Sequence, residues 1–406
     1  MLHRILLIIL TLVSFECFGQ RGAFQLPEGR KSITSSFSNY DNMVVVEMTI
    51  ADTIPVRLIL DSGIEGIILT DRTVVERLNS VCTRVFNLTA PGTDITLDAC
   101  ITSSLKIKFP KLLPITANVI LLQEDYFSLE SFIGAKVHGL IGLEKFRNMI
   151  VSINYDKNTI KFTDPYQYNV PKNAEIIPLF VLRGRPYLST RVELDTKEIR
   201  DLWLMIDSGA NHPLLLETDS TETYKPLQSL KTTIGRGLGG TINGEFVRSG
   251  WLLIGNSRLD NIITSISSEY LTGNPASRNF RDGTLGSGAL ARFRVSFDYI
   301  NSRLILEKGI KFKEPFEYNM SGITFECINR GFNIFKVSEI IYDSPSFHSG
   351  IHPEDVLMSI NGKAAYSLNL GELNAILSAK PGNLITMVIS RKGEVMTFKF
   401  RLKRLI

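Results

Sequence analysis

Two stretches of this chain share one pattern: Val56-Arg57-Leu58-Ile59-Leu60-Asp61-Ser62-Gly63 and Leu202-Trp203-Leu204-Met205-Ile206-Asp207-Ser208-Gly209. In each, an apolar run ends in Asp-Ser-Gly. One such triplet is most simply a tight turn, because all three residue types favour turns. A carboxylate at the end of a buried strand is costly unless it is paired or functional. Because two neighbouring carboxylates can share one proton and activate water, the repeat predicts that Asp61 and Asp207 meet in one site.

The duplication continues beyond the triplets. Gly139-Leu140-Ile141-Gly142 begins 78 residues after the first aspartate, and Gly283-Thr284-Leu285-Gly286 begins 76 residues after the second. Both glycine pairs lead into a matching strand-turn-strand pattern, at 152–162 and at 296–306. An internal repeat of roughly 120 to 130 residues has the size of a lobe or small domain.

On these motifs the chain resembles the aspartic peptidases, specifically bacterial retropepsin-like proteins that carry two such halves and a C-terminal PDZ domain. The resemblance covers most of the chain from about residue 38 onward. It implies a mainly β protein with the two-lobed aspartic-protease (acid protease) β-barrel fold. It also implies Asp61 and Asp207 as the catalytic pair, with supporting roles for Ser62, Gly63, Ser208, Gly209, Gly142 and Gly286. Thr284 departs from the aliphatic residue that is usual at its position.

The chemistry of the residues agrees with the resemblance. Peptide hydrolysis needs a base that deprotonates water and an acid that protonates the carbonyl oxygen and later the amine. Two carboxylates a few ångströms apart do both, because only one of them ionises. The sequence therefore predicts an endopeptidase without a metal or cofactor, acting on a peptide or protein substrate. The rival function is a catalytically inactive peptide-binding protein of the same fold.

Short apolar runs separated by turn residues dominate from 43 to 306, which is an all-β pattern. We expect an N-terminal lobe at 38–164 and a C-terminal lobe at 178–310, joined by a proline-rich linker. One hairpin in each lobe is expected to cover the cleft as a flap, with tips at Pro91-Gly92 and Leu238-Gly239-Gly240. The glycine spacing at 235–240 matches a dinucleotide fingerprint, but strand and turn residues follow it where that motif needs a helix.

The sequence pattern changes at Gly322. The segment from there to Gly362 resembles a bacterial PDZ domain, which we expect at 320–406. Its motifs include Ser344-Pro345-Ser346 and Ile360-Asn361-Gly362, and Glu354 stands where the family usually has Gly. A PDZ domain binds a chain end by adding it as a strand. The resemblance thus implies that Gly322 and Ile323 cradle the C-terminal carboxylate of a peptide ligand. The alternative is a structural cap on the catalytic unit.

The first 19 residues have the pattern of a secretory signal peptide, with Arg4 before a short apolar stretch. No later stretch has the length for a transmembrane span after cleavage. We therefore expect an exported protein of the periplasm or extracellular space, surface-associated forms included. The net charge of +4 is spread along the chain, so no nucleic-acid partner is expected. Because both halves lie in one chain, a monomer suffices to form the site.

Two cysteines and two histidines leave structural questions. Cys82 and Cys100 are placed nearly symmetrically about the turn at 91–92, so they are either a disulfide across a hairpin or two buried thiols. His348 and His352 have the spacing of helical zinc ligands, but Gly350 and the following proline interrupt any helix. The sequence therefore offers no metal site.

Overall fold

The computed structural model describes residues 22–78, 82–88, 97–123, 129–217, 224–237, 240–267, 281–328 and 333–406. The protein is mainly β, as predicted. The strands of the first half are β1 (Ser32–Ser36), β2 (Ser38–Tyr40), β3 (Met43–Ile50), β4 (Ile54–Asp61), β5 (Ile67–Leu69), β6 (Cys82–Leu88), β7 (Leu97–Thr102), β8 (Leu105–Lys108), β9 (Ile115–Ala117), β10 (Ile120–Leu122), β11 (Gly139–Gly142), β12 (Ile150–Asn154) and β13 (Thr159–Thr163).

The second half contributes a matching series. Its strands are β14 (Glu175–Pro178), β15 (Phe180–Leu182), β16 (Arg185–Glu193), β17 (Ile199–Asp207), β18 (Leu214–Glu217), β19 (Leu230–Gly237), β20 (Gly240–Arg248), β21 (Trp251–Ile254), β22 (Ser257–Asp260), β23 (Ile263–Ser267), β24 (Gly283–Gly286), β25 (Phe293–Asp298) and β26 (Arg303–Lys308). β1 lies before the predicted start of the first lobe at 38, and β14 lies within the predicted linker.

The remaining strands and the helices complete the described chain. The C-terminal strands are β27 (Ile323–Cys327), β28 (Phe335–Ile340), β29 (Val356–Ile360), β30 (Lys363–Ala364), β31 (Leu384–Arg391) and β32 (Glu394–Arg401). The α-helices are α1 (Arg72–Leu78), α2 (Leu129–Ile133), α3 (Ser287–Leu290), α4 (Pro345–Ser349) and α5 (Leu370–Leu377). Short 3-10 helices occupy Leu143–Phe146, Pro165–Gln167, Ile310–Lys313 and Ala365–Ser367.

Two ten-stranded sheets have the same strand order. The first runs β6-β7-β10-β5-β11-β4-β3-β8-β9 with β2 on β3, and the second runs β19-β20-β23-β18-β24-β17-β16-β21-β22 with β15 on β16. Every strand of one sheet therefore has its counterpart thirteen strands later in the other. The repeat that the sequence shows in its motifs extends to the topology.

A six-stranded sheet joins the two halves, in the order β1-β13-β12-β25-β26-β14. Each half contributes three strands, and β12 pairs antiparallel with β25 at its centre. Ser152 lies opposite Ser296 in this pair, and their hydroxyl oxygens are 2.7 Å apart. Because these serines are equivalent positions of the repeat, a local twofold axis passes between them.

In the described ranges, the buried apolar side chains form three clusters. The largest runs through both halves and the six-stranded sheet. A smaller cluster lies on the face of β4 that points away from the largest cluster. There, Leu129 and Ile133 of α2 cover Ile59 and Leu140. A strand such as β4 is apolar on both faces because both faces are buried.

Residues 320–406 form a C-terminal unit with a core of its own. Its strands are ordered β27-β28-β29-β31-β32, with β30 on β29. α5 begins with a capping box, in which Asn369 and Glu372 satisfy each other's backbone N–H groups. Glu354 has φ +73, a backbone conformation that favours glycine.

The hairpin of β6 and β7 carries a Cys82–Cys100 disulfide, with Cα atoms 5.7 Å apart. Of the alternatives that the sequence leaves open, the structure has the disulfide. Cys327 is a buried thiol in β27. The predicted flap tips at Pro91, Gly92, Leu238 and Gly239 lie outside the described residues. Gly240 opens β20 opposite Gly237, so the second hairpin reaches the predicted tip from both sides.

Candidate active site

The two Asp-Ser-Gly triplets occupy equivalent places in the two large sheets. Asp61 is the last residue of β4 and lies opposite Gly142 of the parallel strand β11. Asp207 is the last residue of β17 and lies opposite Gly286 of β24 in the same way. The predicted supporting glycines therefore flank both aspartates. Glycine is required there, because a methyl group at Gly286 would overlap the carbonyl oxygen of His212.

The serines of the two triplets bind each other's strands. Ser62 N–H donates to Ser208 Oγ, and Ser208 N–H donates to Ser62 Oγ, both at 3.0 Å. Each hydroxyl then donates across the boundary, Ser62 to the carbonyl of Ile206 at 2.7 Å and Ser208 to the carbonyl of Leu60 at 2.8 Å. These four bonds are buried and symmetric, so they lock the two loops together.

The two carboxyl groups lie close enough for their charges to interact, and the charge of Asp207 adds to burial in raising the pKa of Asp61. Gly63 N–H donates to Asp61 Oδ1 at 2.6 Å, and Gly209 N–H donates to Asp207 Oδ1 at 3.0 Å. A methyl group at Gly63 would lie 2.9 Å from Asp207 Cγ, and one at Gly209 would lie 2.5 Å from Asp61 Cγ. The glycines therefore let each loop approach the opposite carboxyl group. All the predicted catalytic and supporting residues come together here.

The pair is electrostatically asymmetric. Burial, followed by the charge of Asp207, raises the pKa of Asp61 well above its usual value, against the Gly63 N–H, which lowers it. Burial also raises the pKa of Asp207, but the positive charge of Arg281 opposes that rise. Asp61 is 5% exposed, whereas Asp207 is half-buried. Burial of both groups and the charge between them favour a pair that holds one proton, and the charge of Arg281 favours the ionised form of Asp207.

Glu144 is a residue of the site that the sequence analysis missed. Its Oε1 accepts the N–H of Gly66, in the loop after Asp61, at 2.8 Å. Burial raises the pKa of Glu144, and the Gly66 N–H opposes this. The equivalent position of the second half is Gly288, where Ser287 Oγ instead donates to the carbonyl of Ala210 at 2.8 Å. The sequence did offer one signal for Glu144. The two halves differ at this position, which lies two residues after the matching glycines Gly142 and Gly286.

Two further side chains brace the strands that carry the aspartates. His138 Nδ1 accepts the N–H of Arg57 at 2.8 Å, and Asp282 Oδ2 accepts the N–H of Trp203 at 2.6 Å. They hold equivalent positions, just before β11 and β24. Burial lowers the pKa of His138, which keeps the ring neutral and its Nδ1 an acceptor. Because one residue is a histidine and the other an aspartate, this equivalence is not visible in the sequence.

Thr284, which follows the first glycine of β24, has a side-chain partner. Its Oγ1 lies 2.7 Å from His212 Nε2, in the loop after Asp207. Burial, with the charge of Arg281, lowers the pKa of His212 to about 4. The imidazole is therefore neutral over most of the pH range and acts as a brace for this loop.

The predicted ligand cradle of the C-terminal unit has its backbone donors engaged within the chain. Gly322 has φ +80, and a methyl group there would overlap Ser344. Its N–H donates to Asn319 Oδ1 at 3.2 Å, and Ile323 N–H donates to Ser321 Oγ at 3.0 Å. Both backbone donors therefore already have partners within the chain.

The described residues offer neither a cluster of metal ligands nor a membrane-spanning helix. Within the described ranges, no three His, Cys, Asp or Glu side chains are grouped so that they could hold a metal ion. The helices of those ranges include none with the length and hydropathy to cross a membrane.

Comparison with known proteins gives little further information. No family model matches this chain, and no curated protein is similar to it. Among solved structures, it is similar to basic 7S globulin from soybean, with a TM-score of 0.38 and 12% sequence identity. That likeness covers 70% of this chain and 96% of the globulin. At this level it carries no argument about function.

Proposed function

We propose that this protein is an aspartic endopeptidase with the two-lobed acid-protease fold, in which Asp61 and Asp207 activate water. The observation that carries the proposal is the meeting of two carboxyl groups, one from each half of the repeat, with the glycine of each loop against the carboxyl group of the other. Buried carboxyl groups of like charge are costly, and pairs whose pKa values are driven apart are typical of acid–base sites. The bonds between Ser62 and Ser208 support it, because they fix the relative position of the two loops.

In the proposed reaction, a water molecule lies between the two carboxyl groups. Asp207, the ionised partner, takes a proton from this water while the water oxygen attacks the peptide carbonyl. Asp61 gives its proton to the carbonyl oxygen, which yields a tetrahedral diol. Asp207 then protonates the amide nitrogen and Asp61 takes a hydroxyl proton back, so that the C–N bond breaks into a carboxylic acid and an amine. The pair returns to its starting protonation.

We further propose that residues 320–406 are a PDZ domain that binds chain ends, and that the protein is exported and acts as a monomer. The disulfide supports export, because such bonds persist in oxidising compartments. The monomer is supported by the presence of both carboxyl groups in one chain. The separate core of the C-terminal unit is consistent with an appended domain.

The experiment is a hydrolysis assay on an unstructured protein substrate, with and without a peptide analogue that places a hydroxyl group at the position of the scissile carbonyl. Such an analogue mimics the diol, so it should inhibit at concentrations well below the substrate KM. A metal chelator and a serine-directed acylating agent are the controls and should leave the rate unchanged. Hydrolysis that the chelator stops and the analogue does not would refute the proposal.

A further inference from the structure

A hairpin of the second half reaches the loop that follows Asp61. β15 and β16 pair antiparallel, and Gly184 lies in the turn between them. A methyl group at Gly184 would lie 2.9 Å from Glu144 Cβ and 3.7 Å from Glu65 Cγ. Gly184 has φ +72, so glycine serves both the turn and this close approach. Arg185, the first residue of β16, therefore lies beside the carboxyl pair.

Arg185 and Arg281 both act on the carboxyl pair, but they differ in their partners. The charge of Arg281 acts on Asp207, and its Nη2 is 2.6 Å from Glu217 Oε1. The charge of Arg185 acts on Asp61. In the part of the chain that the structure describes, the Arg185 side chain has no ion pair, and its Nε is buried without an acceptor. Because buried donors normally have partners, Arg185 has room for an anionic one.

The fold does not require a charge at the position of Arg185. In the repeat, Arg185 at the start of β16 corresponds to Met43 at the start of β3. Both strands pair with the strand that ends in the aspartate, β17 and β4. Met43 is 3% exposed and packs in the apolar cluster on β4. Since an apolar side chain fills the equivalent position, the charge of Arg185 points to a role beyond folding.

The carboxylates nearest to this turn do not take Arg185 as their partner. Glu65 is exposed, so water solvates its carboxylate. Glu144 has Lys145 as its cation, with Oε1 3.4 Å from Nζ, and the same oxygen accepts the N–H of Gly66. A role for Arg185 as the counter-charge of either glutamate therefore has no contact to support it.

We propose that Arg185 binds a carboxylate of the substrate near the bond that is cleaved, so that the preferred substrates are peptides with an acidic side chain there. This inference rests on the proposed peptidase function. A guanidinium group is always charged, and its planar N–H groups match the two oxygens of a carboxylate. A half-buried setting strengthens such a bond relative to water. A free chain end offers the same chemistry, and the test separates the two sources.

The test is a cleavage profile on pools of short peptides of random sequence. The full chain digests one pool with amidated ends and one with free ends, and mass spectrometry identifies the cleaved bonds. Asp and Glu are compared with Asn and Gln at each position, since these pairs have the same shape. Arg185→Met introduces the residue type of the equivalent position. Arg183→Met is the matched control, because it removes a charge from an exposed residue of the same turn.

We expect the parent to favour Asp or Glu over Asn or Gln at one position near the cleaved bond, by about tenfold and in both pools. Arg185→Met should lose this preference, and Arg183→Met should keep it. The loss should appear as a higher KM for acidic peptides, because the carboxylate is bound equally before and during the reaction. If Arg185→Met fails to fold, Arg185→Gln tests the same charge with a polar side chain.

The inference is overturned if the parent shows no acidic preference at any position, or if the variant that folds retains it. Equal losses in the variants at 183 and 185 would attribute the preference to the charge of the whole turn and would also overturn it. A preference found only beside the free ends would confirm carboxylate binding by Arg185 and overturn the acidic side chain as its source.

Failure of the proposed peptidase function has a different signature. If the parent hydrolyses neither pool, fluorescence anisotropy with fluorescein-labelled peptides that contain Glu, or Gln in its place, decides the inference. Tighter binding of the Glu peptides by about tenfold, lost in Arg185→Met, would refute the peptidase and leave this inference intact. Equal binding of both sets would refute both.

Discussion

At the scale of single residues, Ser62 and Ser208 hold the two loops of the candidate site together. Each hydroxyl accepts one buried N–H and donates to one buried carbonyl from the opposite half. Removing a hydroxyl leaves a buried donor and acceptor without partners, which costs roughly 1–3 kcal/mol per group. The symmetry of the bonds implies that both serines matter to a similar extent.

We therefore predict that Ser62→Ala and Ser208→Ala each lower the free energy of unfolding by about 2–4 kcal/mol, because each leaves more than one buried group unpaired. Urea denaturation measures this, with Ser338→Ala as the control, because the hydrogen bond from the Ser338 hydroxyl to the Thr324 carbonyl is solvent-exposed. The double variant should lose less than the sum of the single losses, since the four bonds form one network. Additive losses, or a large difference between the two serines, would contradict the symmetric arrangement.

The raised pKa values of the carboxyl pair make stability depend on pH. Below the unfolded value of 3.8 the pair is protonated in both states. As the pH rises above that value, the unfolded chain loses protons that the folded pair retains, so stability declines towards the raised pKa of Asp61. Asp61→Asn removes this penalty and leaves Asp207 without a like charge beside it.

We predict that Asp61→Asn raises Tm relative to the parent at pH 7, and that the difference shrinks as the pH falls towards 3.5. Thermal unfolding followed by circular dichroism at both pH values checks this. Asp260→Asn, at an exposed carboxyl group, is the control for a surface substitution of the same kind. A pH-independent effect of Asp61→Asn would show that Asp61 titrates as an ordinary surface carboxyl group.

The role of Glu144 could not be predicted from the sequence. The aspartates were predictable because each lies in a repeated frame, whereas Glu144 lies where the repeat breaks down. Its role depends on a contact with Gly66 that is 78 residues away in the chain and on burial that the local sequence does not reveal. His138 and Asp282 were missed for a related reason, since one structural role is filled by two different residue types.

We predict that Glu144→Gln retains most hydrolytic activity, because its amide oxygen can still accept the Gly66 N–H. Glu144→Ala should lower kcat by about tenfold or more through misplacement of the Asp61 loop, with a smaller change in KM. The kcat and KM of both variants on one peptide provide the test. Equal loss in both variants would show that the charge of Glu144 matters rather than its acceptor.

At the scale of elements, strands that end in a sequence motif were predictable, whereas contacts between segments far apart in the chain were not. The runs that end in Asp61 and Asp207 indicated strands, and both end where the sequence suggested. The pairing of β1 with β13 joins residues far apart in the chain and has no local signature. The position of α2 against β27 is likewise a tertiary contact, which amphipathic patterning of a five-residue helix cannot specify.

Glu354 offers a test of local strain in the C-terminal unit. A non-glycine residue at φ +73 is disfavoured by roughly 1 kcal/mol, whereas its exposed ion pair with Lys336 contributes little. We predict that Glu354→Gly raises the free energy of unfolding by about 0.5–1 kcal/mol, measured by urea denaturation. Glu354→Ala loses the ion pair and keeps the strain, so it should not stabilise. If Glu354→Ala stabilised the protein and Glu354→Gly did not, the effect would come from removal of the Glu354 charge.

At the scale of the whole molecule, the local twofold relation organises the protein. It passes between Ser152 and Ser296 in the six-stranded sheet, and the reciprocal bonds of Ser62 and Ser208 obey the same symmetry. The symmetry is broken at the carboxyl pair, since Asp61 and Asp207 differ in burial and in the nearby charge of Arg281. In the reaction that we propose, these unequal environments favour one acid and one base.

The measurement that tests the central claim most directly is the kcat/KM of peptide hydrolysis by Asp61→Asn, Asp207→Asn and the double variant. We predict that each single variant loses at least about 10⁴-fold and that the double variant loses little more, because the carboxyl groups act as one unit. Circular dichroism should show that all three remain folded, and Asp260→Asn should hydrolyse like the parent. A folded single variant with activity near that of the parent would contradict the account.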